Sequence, residues 1–276
     1  MVLGGLGFAE GPRWHEGRLW FSDMGAGHVV AVDLEGNSVV VAEVPGRPSG
    51  LGWLTDGRLL VVSMRDRRVL RREPTGELVE HADLSGLASY DCNDMVVDGR
   101  GRAYVGNAGF DLAARPRRVR PAEVVLVTPE GEARVVDDEL VFPNGSVVTP
   151  DGETLVVAET FGARLTAFTI TEDGSLTDRR PFALLEGAAP DGICLDAEGA
   201  VWVADANGAA CLRVREGGDV VDRVDTDRGC FACVLGGPDR RTLFLCTAEG
   251  FEGAAIRRRT AAIERVDVEV PGAGWP

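Results

Sequence analysis

The sequence predicts an all-β chain, a six-bladed β-propeller built as one domain over residues 1–276. A strand–turn–strand unit recurs six times, and its copies begin 39 to 51 residues apart. No stretch longer than a turn carries the 3.6-residue apolar period of an amphipathic helix.

The copies open at Glu10-Gly11-Pro12-Arg13-Trp14, Ser49-Gly50-Leu51-Gly52-Trp53, Asn93-Asp94-Met95-Val96-Val97, Asn144-Gly145-Ser146-Val147-Val148, Asp191-Gly192-Ile193-Cys194-Leu195 and Ala232-Cys233-Val234-Leu235-Gly236. Each runs into a turn: Glu16-Gly17, Asp56-Gly57, Asp98-Gly99, Asp151-Gly152, Glu198-Gly199 or Pro238-Asp239. An apolar second strand follows, as at residues 18–22, 59–63 and 154–158. An interval of this length accommodates the four short strands of a blade. Outer strand pairs are legible at residues 29–33 with 38–41 and at 124–127 with 133–136, turning at Glu35-Gly36 and Glu130-Gly131. Residues 263–268 form a last strand, expected to pair near the N-terminus and close the ring without a free edge. A flat array or two sandwiches would repeat in the same way, but six units without a boundary favour the closed ring.

The composition narrows the partners. Formal net charge is -15, from 44 acidic and 29 basic residues, which disfavours nucleic acid and anionic membrane surfaces. Every basic residue is Arg; there is no Lys for a Schiff base or a phosphate loop, and no Gln. Cys92, Cys194, Cys211, Cys230, Cys233 and Cys246 read as buried and reduced, because a chain of this size builds a core without disulfides. The Cys230–Cys233 pair has no second pair to complete a zinc site. With no basic, apolar leader and no membrane-length apolar run, a cytoplasmic protein acting on a small molecule is expected.

In a propeller the first strand of each blade lines the central channel, so equivalent positions form a ring. The first slot holds Glu10, Ser49, Asn93, Asn144, Asp191 and Ala232. Four of these, Glu10, Asn93, Asn144 and Asp191, offer oxygen ligands in strands otherwise rich in Val, Leu and Ile. Two carboxylates facing each other in a partly dry channel repel, and a cation between them relieves that cost. An all-oxygen set of carboxylates and carboxamides suits one hard divalent ion, calcium foremost, with magnesium, manganese or zinc as alternatives. The competing reading is that Asn-Gly and Asp-Gly merely open turns; it leaves the common register of the six strands unexplained.

The chain resembles the gluconolactonase and senescence-marker-protein family, the regucalcin-like proteins. The resemblance rests on Glu10-Gly11-Pro12-Arg13-Trp14, Asn93-Asp94-Met95, Asn144-Gly145, Pro190-Asp191-Gly192 with Trp202-Val203-Ala204, and Gly236-Gly237-Pro238-Asp239. It implies a metal held by Glu10, Asn93, Asn144 and Asp191. It also implies hydrolysis of a lactone, with the metal polarising the carbonyl and Asp191 as general base. Sugar-lactone members carry Arg two residues before the second ligand motif, where this chain has Asp91. Asp91 is expected either to accept a substrate hydrogen bond and repel carboxylates, or to be a solvated strand entry.

Asn107 is expected at the channel mouth as a substrate contact, against the reading of a turn Asn. The insertion at residues 111–121, with Arg115, Arg117, Arg118 and Arg120, reads as a lid or as a solvated loop. Asp23, Glu159 and Asp205 end second strands and either support the ligands or terminate strands. Arg257-Arg258-Arg259 reads as a solvated face. His15, His28 and His81 lie near turns, away from the slots, which disfavours His catalysis. The favoured function is a metal-dependent lactonase; a cyclase, hydratase or aldol-type enzyme on the same centre, or a non-catalytic metal- or ligand-binding propeller, are the alternatives.

Overall fold

Apolar runs of five to nine residues separated by tight turns favour short antiparallel strands, and the computed structural model contains 24 of them in residues 1–274. Trp275 and Pro276, the end of the expected domain, lie outside the described residues. After β1 (Leu3–Leu6), blade 1 comprises β2 (Ala9–His15), β3 (Arg18–Asp23), β4 (His28–Val32) and β5 (Ser38–Glu43). Blade 2 comprises β6 (Pro48–Trp53), β7 (Leu59–Ser63), β8 (Arg68–Arg72) and β9 (Leu78–Asp83). Blade 3 follows with β10 (Cys92–Val97), β11 (Ala103–Asn107), β12 (Ala122–Val127) and β13 (Ala133–Leu140). Blade 4 has β14 (Pro143–Val148), β15 (Thr154–Glu159), β16 (Arg164–Ile170) and β17 (Leu176–Leu184). Blade 5 has β18 (Pro190–Leu195), β19 (Val201–Asp205), β20 (Ala210–Val214) and β21 (Val220–Asp225). Blade 6 is β22 (Gly229–Gly236), β23 (Thr242–Ala248) and β24 (Ala261–Asp267), with β1 as its outermost strand.

The N-terminal strand therefore closes the last blade, as the sequence predicts: Leu3 pairs with Ile263 and Leu6 with Ala261. The inner strands pack side by side around the ring, β22 returning against β2. Apolar side chains fill the seams between blades; one cluster joins Phe8, Phe21, Leu60, Met95, Phe231 and Phe244. All six cysteines are buried free thiols. Outer strands bury little, and exposed Asp222, Arg223 and Asp225 on β21 discourage pairing of that edge with another chain. One short helix, α1 (Gly253–Arg258), departs from the all-strand expectation, because six residues are too few to display a period. No helix among the described residues is long and apolar enough to cross a membrane.

Every inner strand carries a β-bulge near its start. In β18, Pro190 pairs with Asp205 and Ile193 with Val203, so Asp191 and Gly192 together oppose one residue. The same irregularity spans Asn93 and Asp94, Asn144 and Gly145, and Ser49 and Gly50. Immediately after the slot, neighbouring inner strands approach backbone to backbone. A Cβ on Gly50 would lie 2.3 Å from the Met95 amide nitrogen, and one on Gly192 would lie 2.6 Å from Ala232 Cα. Gly50→Ala is expected to cost about 1–3 kcal/mol through overpacking, read as a lowered urea midpoint with an unchanged slope.

Candidate functional site

The bulges place Glu10, Asn93, Asn144 and Asp191 at the start of four inner strands, each 8% exposed or less. Asn93 and Asn144 belong to an arc of hydrogen bonds that begins at Ser49 and ends beside Asp191. Ser49 Oγ donates to Asn93 Oδ1 at 3.1 Å, and Asn93 Nδ2 donates to Asn144 Oδ1 at 2.9 Å. Asn144 Nδ2 donates to Thr160 Oγ1 at 3.1 Å, and that hydroxyl donates to the Pro190 carbonyl at 2.8 Å, next to Asp191. Ser49 is thus a support for Asn93 within the arc.

The sixth slot needs a correction. The close approaches align Ala232 with Gly192, the residue after a slot, so the slot in blade 6 is Phe231 and not Ala232. The β22 bulge explains the one-residue offset: Cys230 pairs with Thr247 and Ala232 with Cys246, leaving Phe231 unmatched. Its ring packs edge-on against Phe8 with centroids 4.9 Å apart, making that sector of the channel apolar.

A buried ion pair beside the slots was not foreseen. Asp94 holds the after-slot position that is Gly or Ala in the other five blades, and it is 5% exposed. Arg13, from blade 1, donates to Asp94 Oδ1 at 3.1 Å and also bonds the Met95 and Pro12 carbonyls. Three carboxylates, Glu10, Asp94 and Asp191, therefore converge where there is one guanidinium, so that ionising all three would leave two negative charges unmatched in a nearly dry channel. Burial, then the charges of Asp191 and Asp94, pushes Glu10 well above the usual carboxylate range. Burial and then Asp94 do the same to Asp191, opposed by a hydrogen bond from Asn144. Asp191 Oδ1 is buried without a hydrogen-bond partner. An orphaned carboxylate oxygen, two unmatched carboxylates and two carboxamides fit a divalent cation. Among the described residues no three His, Cys, Asp or Glu alone are arranged to hold an ion, so the fit depends on the two amides.

The mouth is the channel end where the inner strands begin. Asp91 is half-buried there, in the field of Arg65, Arg47 and Arg67, and burial raises its pKa. Asn107 lies at the mouth end, paired with Cys92, but its side chain is not open to a substrate as expected. It is fully buried; its Oδ1 accepts from Ser89 Oγ and the Gly109 amide, and its Nδ2 donates to the Glu123 carbonyl and carboxylate. That exhausts a carboxamide's hydrogen-bonding capacity. Asp23, Glu159 and Asp205 likewise tie down the segments entering the inner strands, accepting from the amides of Gly7, Val141 and Ala189. None of the three histidines occupies a slot; His15 stacks on Trp53 and His81 bonds the Thr128 carbonyl.

Connections between second and third strands also lie at the mouth. They are four residues long in blades 1, 2, 4 and 5, but span 108–121 in blade 3 and 249–260 in blade 6. Those two blades stand opposite each other in a six-membered ring. Arg115 Nη2 meets Glu252 Oε1 at 2.8 Å, so the two long connections join across the mouth. Arg117 lies 5.7 Å over the ring of Phe161, which packs against Phe110 and Phe142. The 111–121 segment is therefore strapped over the channel by exposed, separable contacts. The Arg257–Arg259 run stays exposed, as expected, with Arg258 paired to Glu249.

Residues 8–249, a span containing all six inner strands, match the SMP-30/gluconolactonase/LRE-like region, and the chain belongs to this lactonase-type family of β-propellers. It is 27% identical over 278 residues to the 6-deoxy-6-sulfogluconolactonase of Pseudomonas putida, covering 97% of this chain and 93% of that protein. It is also 27% identical over 250 residues to a pentonolactonase of Haloferax volcanii, covering 87% and 81%. The calcium-binding protein regucalcin of Agrobacterium tumefaciens shares the fold, with a TM-score of 0.83 at 23% identity over 100% of this chain and 95% of that one.

Arg13→Met should destabilise the chelator-treated protein by about 3–5 kcal/mol, because it leaves the Asp94 charge unpaired. Urea denaturation with and without calcium checks this, and calcium should recover part of the loss. Glu252→Ala should cost under about 1 kcal/mol, yet speed tryptic cleavage after Arg117 and Arg118 several-fold. Mass spectrometry of the digest reads that difference.

Proposed function

We propose that this chain is a metal-dependent lactonase, with Glu10, Asn93, Asn144 and Asp191 holding one divalent ion, calcium foremost. The observation that carries the reading is the buried, unpartnered Asp191 Oδ1 in a channel where three carboxylates have one guanidinium between them. A bound ion would supply Lewis-acid polarisation of the lactone carbonyl and charge to meet the developing oxyanion.

The residues divide the remaining work. Asp191 accepts a proton from the water that attacks the carbonyl carbon, and returns it to the ring oxygen as the ester bond breaks. Asn93 and Asn144 are held in place by the chain of hydrogen bonds from Ser49 to Thr160. The Arg13–Asp94 pair supports the arc from beside it and fixes the local charge. The strap between blades 3 and 6 limits access of bulk water once substrate has entered. The relatives named 6-deoxy-6-sulfogluconolactonase and pentonolactonase make lactones of six- and five-carbon sugar acids the first substrates to test.

Asp191→Asn should lower kcat roughly 10²–10⁴-fold, the range for loss of a general base, with an unchanged far-UV spectrum and cooperative unfolding. Wild-type activity should vanish in chelator and return with calcium. Turnover by Asp191→Asn at the wild-type rate would exclude this residue as the base.

A further inference from the structure

The mouth poses an electrostatic problem opposite in sign to that of the slots. The position two residues before each slot forms a rim ring: Phe8, Arg47, Asp91, Phe142, Ala189 and Gly229. Arg47 in blade 2 and Asp91 in blade 3 are therefore neighbours in equivalent places. Arg47 is half-buried, and its guanidinium makes no hydrogen bond or salt bridge among the described residues. Its nearest charges are Arg65, on the β7–β8 connection, and Asp91. Arg65 is exposed and also lacks a salt bridge among the described residues, whereas Arg67 is anchored on the Ala88 carbonyl at 3.0 Å. Burial and then Arg65 weaken the hold of Arg47 on its proton, and Asp91 only partly offsets this.

The backbone holds Arg47 in place. Its amide donates to the Val44 carbonyl at 3.0 Å and its carbonyl accepts from Met64 at 2.9 Å. Its φ of 77° lies in the left-handed region, which a non-glycine residue adopts at a cost of about 1–2 kcal/mol. Strain of this kind persists where surrounding structure enforces it, often beside a ligand site. A partly desolvated guanidinium with no acceptor, carried on a backbone held in place and next to a second guanidinium, is complementary to a planar anion.

Resting on the lactonase reading above, we propose that Arg47, assisted by Arg65, forms an anion subsite at the mouth and selects lactones that carry a carboxylate or similarly charged substituent. On this view Asp91 orients the Arg47 guanidinium and does not exclude acidic substrates.

The test uses the calcium-loaded protein with D-glucaro-1,4-lactone and D-glucono-1,4-lactone, which share a ring and differ in a carboxylate against a hydroxymethyl group. Their kcat/KM ratio should favour the acidic lactone at least tenfold in the wild type. It should fall to about one in Arg47→Asn, a substitution suited to the left-handed backbone, and to an intermediate value in Arg47→Lys. Arg65→Ala, an exposed site that serves as a control for folding, should also lower the ratio. Calorimetric titration of the two ring-opened acids, which hold no ester bond to hydrolyse, reads the same preference without turnover. A charge preference in binding with no hydrolysis of either lactone would sink the lactonase reading and leave the subsite standing. Equal treatment of the two lactones by the wild type, binding of neither acid, or a preference that survives in Arg47→Asn would overturn the subsite.

Discussion

Repulsion among Glu10, Asp94 and Asp191 is the constraint around which the channel is organised. Ring closure brings these three carboxylates, from blades 1, 3 and 5, into a space too narrow for water to screen them. An isolated buried carboxylate escapes such a cost by taking up a proton. Here Arg13 answers one of the charges, reaching from blade 1 to Asp94 in blade 3 past the glycine at position 50. The two carboxylates left over match a divalent ion, and the orphaned Asp191 Oδ1 is where the mismatch is concentrated.

A six-fold backbone carries chemistry that is not six-fold. The bulge recurs in all blades, so each slot presents its side chain in a similar way, and the residue alone decides what that sector does. Blades 1, 3, 4 and 5 present oxygen donors, blade 2 presents a hydroxyl that steadies Asn93, and blade 6 presents Phe231 against Phe8. Glycine or alanine just after the slot permits the backbone contact that closes the ring. Asp94 is the exception, and it fits only because Arg13 meets its carboxylate.

Much of this was legible in the sequence because turns and slots repeat at blade intervals. The six blades, the pairing of the N-terminal strand with the last blade and the convergence of Glu10, Asn93, Asn144 and Asp191 all follow from that spacing. The sixth slot slipped by one residue because Phe231 is apolar within an apolar strand, so nothing in composition marks the bulge. Arg13 and Asp94 were hidden by a separation of 81 residues; only the presence of a charge where other copies have Gly or Ala hinted at them. Asn107 illustrates the opposite failure. A strand-ending Asn before a small residue has the same appearance whether its amide faces a ligand or, as here, is consumed by Ser89, Gly109 and Glu123.

On the proposed reading the rim holds specificity apart from a metal centre at the slots, a division that the ring geometry makes natural. Residues two before the slot share neither the bulge nor the close backbone contacts, so their identities change without disturbing the ligands. Phe142 and Arg47 both take left-handed backbone at this position, one stacking on Phe161 and the other facing Arg65 and Asp91. Moving a cation by one blade turns its field about the axis by a sixth of a revolution and leaves the slots untouched. A substrate anchored at the slots would then be read by whichever rim sector its substituents meet: apolar near Phe8 and Phe142, charged near Arg47 and Asp91. The Arg115–Glu252 contact joins blades 3 and 6 across the same end of the channel.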